Sequence, residues 1–241
     1  VETIYDLRVV NAKSVYDVLR EMGIDNWSLV EEVPVADYQA RDLAEAQRKE
    51  LRFVPPMAAA IYQGPDGKPT TYFHISPGRA YSITFAVVPS PIGRLVPVTA
   101  SYRPAVKRVI LQLPSGGFKK GEDLAEGAAR EFEEETRIAL DRVEFLRRSA
   151  IPVHVGATGD LIFPCLGIPR NPVEKSSRNL DAGEFIGTVL FPVYEWLALL
   201  DGGDQEHIQI GDTQAAGPDM VTVGTTYLGL RQLRPPGVED R

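Results

Sequence analysis

The sequence predicts an α+β sandwich preceded by an N-terminal helical extension. Short runs rich in β-branched residues, separated by proline and glycine turns, fill the middle of the chain. Helical stretches interrupt them without the strict alternation of a parallel α/β sheet. The apolar pattern also changes at Pro55-Pro56, which marks the boundary between the extension, residues 1–55, and the main domain, residues 56–241.

In chain order, residues 14–22 and 37–51 carry apolar side chains at a spacing of three or four with no internal proline or glycine, and so read as two helices joined by residues 23–36. Beyond the prolines, residues 57–63 and 70–75 flank Gly64-Pro65-Asp66-Gly67 as a β-hairpin. Extended runs follow at 82–88, 95–101 and 108–113, and then a long helix at 124–136. Strands at 143–149, 161–167 and 185–191 precede two closing helices, 193–200 and 220–230, the second weakened by Gly224 and Gly229. There is no internal repeat and no low-complexity tract.

Composition narrows the function classes. With 44% hydrophobic residues the 241-residue chain buries a sizeable core. Its formal charge is −7 and its basic residues form no run longer than a pair, which argues against nucleic acid as a partner. No apolar stretch is long enough to cross a bilayer and no signal peptide is evident, so a cytoplasmic protein without a membrane partner is expected. The single cysteine, Cys165, sits among Phe163, Pro164 and Leu166 and reads as a buried bystander.

The chemically informative segment is Leu113-Pro114-Ser115-Gly116-Gly117-Phe118-Lys119-Lys120-Gly121-Glu122, followed by a helix containing Arg130-Glu131-Phe132-Glu133-Glu134-Glu135-Thr136. On a helix, Glu131, Glu134 and Glu135 stand at i, i+3 and i+4, so their carboxylates share one face. Such a cluster repels itself unless something positive sits against it, and hard carboxylate oxygens favour Mg²⁺ or Mn²⁺. Arg130 lies one turn before Glu134, and Glu122 is placed to pair with it and lock the loop against the helix. Gly116 and Gly121 permit turns with positive φ and let a backbone group approach a metal or phosphate. Most glutamate-rich helices with arginine are simply solvated faces. The joint spacing here argues otherwise, because it arises by chance on the order of once in ten million starting points.

That spacing resembles the signature of the Nudix hydrolases, matched from Gly116 through Glu122, Arg130, Glu131, Phe132, Glu134 and Glu135 to Ile138. The family has glycine just before the final apolar position, where this chain has Arg137. A left-handed helix cap there would strain an arginine by roughly 1 kcal/mol or shift the helix end. The resemblance implies an α/β/α sandwich with a mixed sheet, Mg²⁺ (or Mn²⁺) as cofactor, and attack by water on a diphosphate. It implies Glu131 and Glu135 as metal ligands, with Glu134 nearby as a further ligand or catalytic group and the backbone carbonyl of Ser115 completing the shell. Gly116 would face the substrate.

The flanks resemble those of the ADP-ribose and nucleoside-diphosphate-sugar pyrophosphatases. Ser101-Tyr102-Arg103-Pro104 precedes the Leu113-Pro114-Ser115-Gly116 turn, which by analogy gives Arg103 to the diphosphate or to orienting the acidic cluster; an ordinary surface arginine is the blander reading. Asn179-Leu180-Asp181-Ala182-Gly183-Glu184 resembles a late loop that supplies a catalytic glutamate. Glu184 is the candidate and Asp181 the alternative, although acidic residues are common before strands. His74, His154 and His207 lie outside the box, and His154 reads as a strand histidine. Tyr62, Tyr72, Tyr102 and Phe118 are available as platforms for a base, none singled out. Related enzymes often dimerise through their N-terminal segments, so a homodimer is expected, with Trp27 as an anchor or a local core residue.

The expected activity is Mg²⁺-dependent cleavage of ADP-ribose, or a nucleotide sugar, to a nucleoside monophosphate and a sugar phosphate. Two alternatives stand beside it. One is a non-catalytic Nudix-fold module that senses a nucleotide, and the other is a hydrolase of another NAD-related or nucleotide diphosphate in a specialised pathway.

Overall fold

A computed structural model describes residues 2–24, 30–31, 33–45, 48, 57–63, 69–75, 78–103, 107–153, 157–180, 186–201, 209–210, 213–214 and 218–233. Two short strands, β1 (Thr3–Ile4) and β2 (Leu7–Val9), precede helices α1 (Val15–Glu21) and α2 (Val35–Gln39). A hairpin of β3 (Met57–Gln63) and β4 (Pro69–Ile75) follows. Strands β5 (Ala80–Ala86), β6 (Val88–Ser90), β7 (Gly93–Arg103), β8 (Arg108–Gln112) and β9 (Ser115–Gly117) lead into α3 (Leu124–Thr136). After it come β10 (Leu140–Phe145), β11 (Ile151–Pro152), β12 (Leu161–Pro169), β13 (Gly187–Pro192) and α4 (Val193–Leu200). The small pair β14 (Gln209–Ile210) and β15 (Thr213–Gln214) and a last helix, α5 (Met220–Leu233), complete the described elements.

The chain divides into two units. One comprises Val1–Trp27, Ala80–Ile151 and Ile162–Arg241, and the other Ser28–Arg79 and Pro152–Leu161. In the second unit β3 and β4 pair antiparallel from Met57↔Ile75 to Gln63↔Pro69, as two extended runs flanking Gly64-Pro65-Asp66-Gly67 predict. The same unit is fastened by Ile75 N–H donating to the Ala157 carbonyl (2.8 Å) and Arg79 N–H donating to Asp160 Oδ1 (2.7 Å).

Among the described residues the first unit contains two larger sheets beside the small β14–β15 pair. One runs β1-β2-β13-β7-β6, with β8 also on β7; β2 lies parallel to β13 while β13–β7 and β7–β8 are antiparallel, so the sheet is mixed. The other runs β10-β12-β5-β9. Strand β13 reads as nearly continuous apolar sequence because both its faces are covered: Val189 and Phe191 join a core with Trp196 and Leu199 of α4, while Leu190 joins another with Phe132 of α3. Helices therefore close both sides of the sheets, as an α+β sandwich requires.

The N-terminal expectation needs correction. Residues 1–27 do not stand apart as part of a helical extension but belong to the first unit, with Val15, Val18 and Leu19 of α1 at most 2% exposed in its core. A seven-residue amphipathic helix has no stability of its own and gains it by this burial. Strands β1 and β2 were not foreseeable from turn chemistry, because their tight turn places Tyr5 (φ 53°) and Asp6 (φ 64°) in left-handed conformations usually taken by Asn-Gly. Of the second expected helix, 37–51, α2 covers the first residues and Glu45 and Arg48 are also helical, the Arg48 N–H donating to the Ala44 carbonyl at 3.0 Å; residues 46–47 and 49–51 lie outside the described residues, as does the boundary at Pro55-Pro56. Among the described residues no helix is long and apolar enough to cross a membrane.

Candidate active site

Helix α3 begins at Asp123, whose carboxylate accepts hydrogen bonds from the backbone N–H groups of Ala125 (2.9 Å) and Glu126 (3.2 Å). Ala128 and Phe132 bury one face, and Glu131, Glu134 and Glu135 emerge on another. Gly127 is a poor helix former, but a Cβ there would lie 2.7 Å from the Phe118 ring and 2.9 Å from Glu122 Oε2. Its small size lets the loop pack on the helix.

Arg130 organises the box. Its Nε and one terminal nitrogen donate to the two oxygens of Glu122 (2.7 and 3.0 Å). The other terminal nitrogen donates to Glu131 Oε1 (2.7 Å) and Glu134 Oε2 (2.8 Å), and a bond to the Gly117 carbonyl (3.1 Å) ties in the loop. The side chain is only 10% exposed. Hydrogen bonding from Arg130, reinforced by the backbone N–H of Lys119, holds the Glu122 carboxyl at about 2, well below the usual range. The same pairing raises the Arg130 guanidinium, Glu122 being the largest contributor. The brace expected from sequence is present.

The loop glycines divide their roles. Gly121 has φ +81° and so needs glycine. Gly116 does not take a positive φ as expected; it lies in β9 opposite Ser82, and a Cβ on it would fall 2.0 Å from Glu131 Oε2. The absence of a side chain leaves room for that carboxylate. Ser115 and Glu135 also come together, the Ser115 N–H donating to Glu135 Oε2 at 2.9 Å.

At the helix end Arg137 adopts φ 59°, ψ 21°, the left-handed cap that glycine normally supplies, and its N–H bonds the Glu133 carbonyl at 2.8 Å. Of the two outcomes expected for arginine there, strain is realised and the helix end is not shifted. The cap is stitched to a later segment: Ser176 N–H donates to the Arg137 carbonyl, and Ala139 N–H to that of Glu174. Glu133, missed in the sequence because the box leaves its position unspecified, accepts from Leu140 N–H (3.1 Å) and Ser176 Oγ (3.2 Å) and lies 3.4 Å from Arg178 Nε. Its partners lie up to 45 residues away, and helical periodicity carries no trace of them.

Glu134, Glu135 and Arg137 line a cavity of about 550 Å³ whose other walls include Tyr5, Asp6 and Lys175. Leu180 and Ile186 also border it. The alternatives between them in sequence, Asp181 and Glu184, lie outside the described residues. Arg103 donates to Gln112 Oε1 (2.6 and 3.2 Å) across β7 and β8, and Gln112 in turn donates to Asp219. Of the aromatic candidates, Phe118 stacks edge-on against Phe163 with centroids 5.7 Å apart, and Tyr102 packs against the core. The side chains of Tyr62, Tyr72 and His74, and all of Trp27, His154 and His207, lie outside the described residues. Cys165 is fully buried, which pushes its thiol up to about 12.

A family model described as the NUDIX domain matches residues 84–204, which spans the box and the strands that carry it. A solved structure described as the crystal structure of ADP compounds hydrolase superposes with a TM-score of 0.60, covering 75% of this chain and 87% of that one at 16% sequence identity. No curated protein matches the chain by sequence. With 121 of 241 residues in the family match and the box geometry in place, the chain belongs to the Nudix hydrolase family.

Proposed function

We propose that the protein hydrolyses, with Mg²⁺, the diphosphate bond of a nucleoside diphosphate linked to another moiety, ADP-ribose or a nucleotide sugar, releasing a nucleoside monophosphate and a sugar phosphate. The observation that carries this reading is Arg130, which draws Glu122, Glu131 and Glu134 to one point beside the loop strand β9. The similarity in fold to an ADP compounds hydrolase supports the choice of substrate class.

The donor set of the box is carboxylate oxygen with no histidine or cysteine, the chemistry of a hard cation. Among the described residues no three His, Cys, Asp or Glu side chains are gathered closely enough to hold a metal ion by themselves. Mg²⁺ keeps several waters and takes one or two carboxylates together with substrate phosphates. Glu131 and Glu135 would hold it, with Glu134 and the Ser115 carbonyl beside them. The bound cation supplies charge neutralisation on the diphosphate and acidifies the attacking water. Arg130 keeps the carboxylates together, and Gly116 leaves Glu131 room. Glu184, with Asp181 as the alternative, is proposed to take the proton from water, a role supported by Leu180 and Ile186 bordering the cavity. A cytoplasmic homodimer completes the reading.

The test is product analysis with ADP-ribose, NAD, sugar nucleotides and dinucleoside polyphosphates in Mg²⁺, repeated in excess chelator. Cleavage of at least one diphosphate, abolished by chelation and restored by Mg²⁺, is expected; hydrolysis of none would favour a nucleotide-sensing module.

A further inference from the structure

We propose that Arg137 is a substrate-binding residue whose guanidinium takes a phosphate group of a nucleoside diphosphate in the cavity beside Glu134 and Glu135. The choice of ligand rests on the function proposed above. The site itself rests on three observations about the cavity.

The first concerns charge. Among the described residues three cationic side chains line the cavity: Arg8, Lys175 and Arg137. Arg8 is paired with Glu21 and Lys175 with Asp6. Among the described residues Arg137 has no ion-pair partner, although its side chain is exposed and two carboxylates of the same helix border the same space. An anionic ligand entering beside Glu134 and Glu135 needs a compensating cation, and a guanidinium presents a planar fork that matches phosphate oxygens.

The second is where the backbone is strained. Among the described residues four non-glycine residues have positive φ: Tyr5, Asp6, Lys107 and Arg137. Three of them line this cavity. Strained backbone persists where the surroundings over-determine it and clusters at ligand sites.

The third is rigidity. The Arg137 N–H bonds the Glu133 carbonyl and its own carbonyl accepts from Ser176 N–H, both at 2.8 Å, so the side chain springs from a fixed point. A cation near a helix C-terminus is favoured by the helix dipole in any case. An arginine one turn earlier would gain that benefit without a left-handed backbone, so the dipole alone does not account for this position. The third observation thus turns a departure from the family pattern into a binding group held ready for an anion.

The test is equilibrium binding of ADP in Mg²⁺ by calorimetry, with adenosine as the uncharged control, for the full chain and for Arg137→Gly and Arg137→Lys. Arg137→Gly relieves the left-handed strain, so its melting temperature should be no lower than that of the parent. We expect ADP affinity to fall about tenfold or more in Arg137→Gly, to fall less in Arg137→Lys, and adenosine affinity to stay within twofold. Equal ADP affinity in parent and Arg137→Gly, equal losses for ADP and adenosine, or no ADP binding by the parent would each overturn the proposal. If ADP binding depends on Arg137 but no diphosphate is cleaved, the hydrolase reading falls and the phosphate site stands.

Discussion

Removing Arg130 tests the electrostatic account of the box most directly. The side chain makes four bonds to Glu122, Glu131 and Glu134 and one to the Gly117 carbonyl, and the three glutamate side chains are only 14–17% exposed. Breaking a buried ion pair by deleting one partner costs about 3–5 kcal/mol. Water still reaches these carboxylates, so Arg130→Met should lose about 3 kcal/mol at pH 7, near the lower end of that range. Part of this loss is tied to pH. Arg130 holds Glu122 at about 2 instead of near 4.5. At about 1.36 kcal/mol per pK unit that difference is worth up to about 3 kcal/mol, which solvent screening reduces to about 1–2 kcal/mol. Because the folded-state pKa is depressed, this stability is fully present above the unfolded value and drains away as pH falls from about 4.5 through about 2. Urea melts at pH 7 and pH 3, followed by fluorescence of buried Trp196, should therefore show the gap between parent and variant narrowing by about 1 kcal/mol at the lower pH. A loss below about 1 kcal/mol at neutral pH, or a gap that widens on acidification, would refute the reasoning.

Three further outcomes are expected. Glu135→Gln keeps an oxygen to accept from Ser115 N–H, so turnover should drop about a hundredfold or more while the melting temperature shifts by no more than a few degrees, read by steady-state kinetics and thermal melts. Gly229→Ala places a Cβ 2.3 Å from the ring of Phe85, which is fully buried, so denaturant melts should show a loss of about 1–3 kcal/mol or more with the box chemistry unaffected. Cys165, buried and with its thiol pushed up to about 12, should resist a thiol-specific reagent at pH 8 until denaturant is added; rapid labelling of the native protein would contradict its burial.

The legible parts of this fold are those whose determinants are local. Helix α3 spans the same residues, 124–136, in sequence and structure, because its capping aspartate, its buried Ala128 and Phe132 and the loop glycine Gly121 all lie within about twenty residues. Helix α4 and the β3–β4 hairpin were equally local. Strand β10 begins three residues before the expected 143, because Leu140 is committed by burial against α3, which pattern alone does not reveal. The β1–β2 pair lacked the usual turn residues, and β2 acquires its place only by pairing with β13. At the site, the brace between Glu122 and Arg130 was readable from spacing. The link from Glu133 to Ser176 and Arg178, and the bond from Arg103 to Gln112, depend on which distant segments meet. Arg137 is the instructive case. It was visible as a departure from the pattern, but only the structure joins its left-handed backbone to a cavity.

The parallel ladder between β2 and β13 also sets a timetable. Arg8 pairs with Val189 and Val9 with Leu190, so β2, although paired locally with β1, waits for a strand about 180 residues further along the chain before it joins the larger sheet. At about 5–20 residues per second of synthesis, that wait is roughly 10–40 seconds on the ribosome. During it the β1–β2 pair lacks its parallel neighbour, while the residues of α1 can already meet those of β5, β7 and β8 with which they share a core. The wall of the cavity that Tyr5 and Asp6 provide therefore reaches its place in the sheet only after β13 is made.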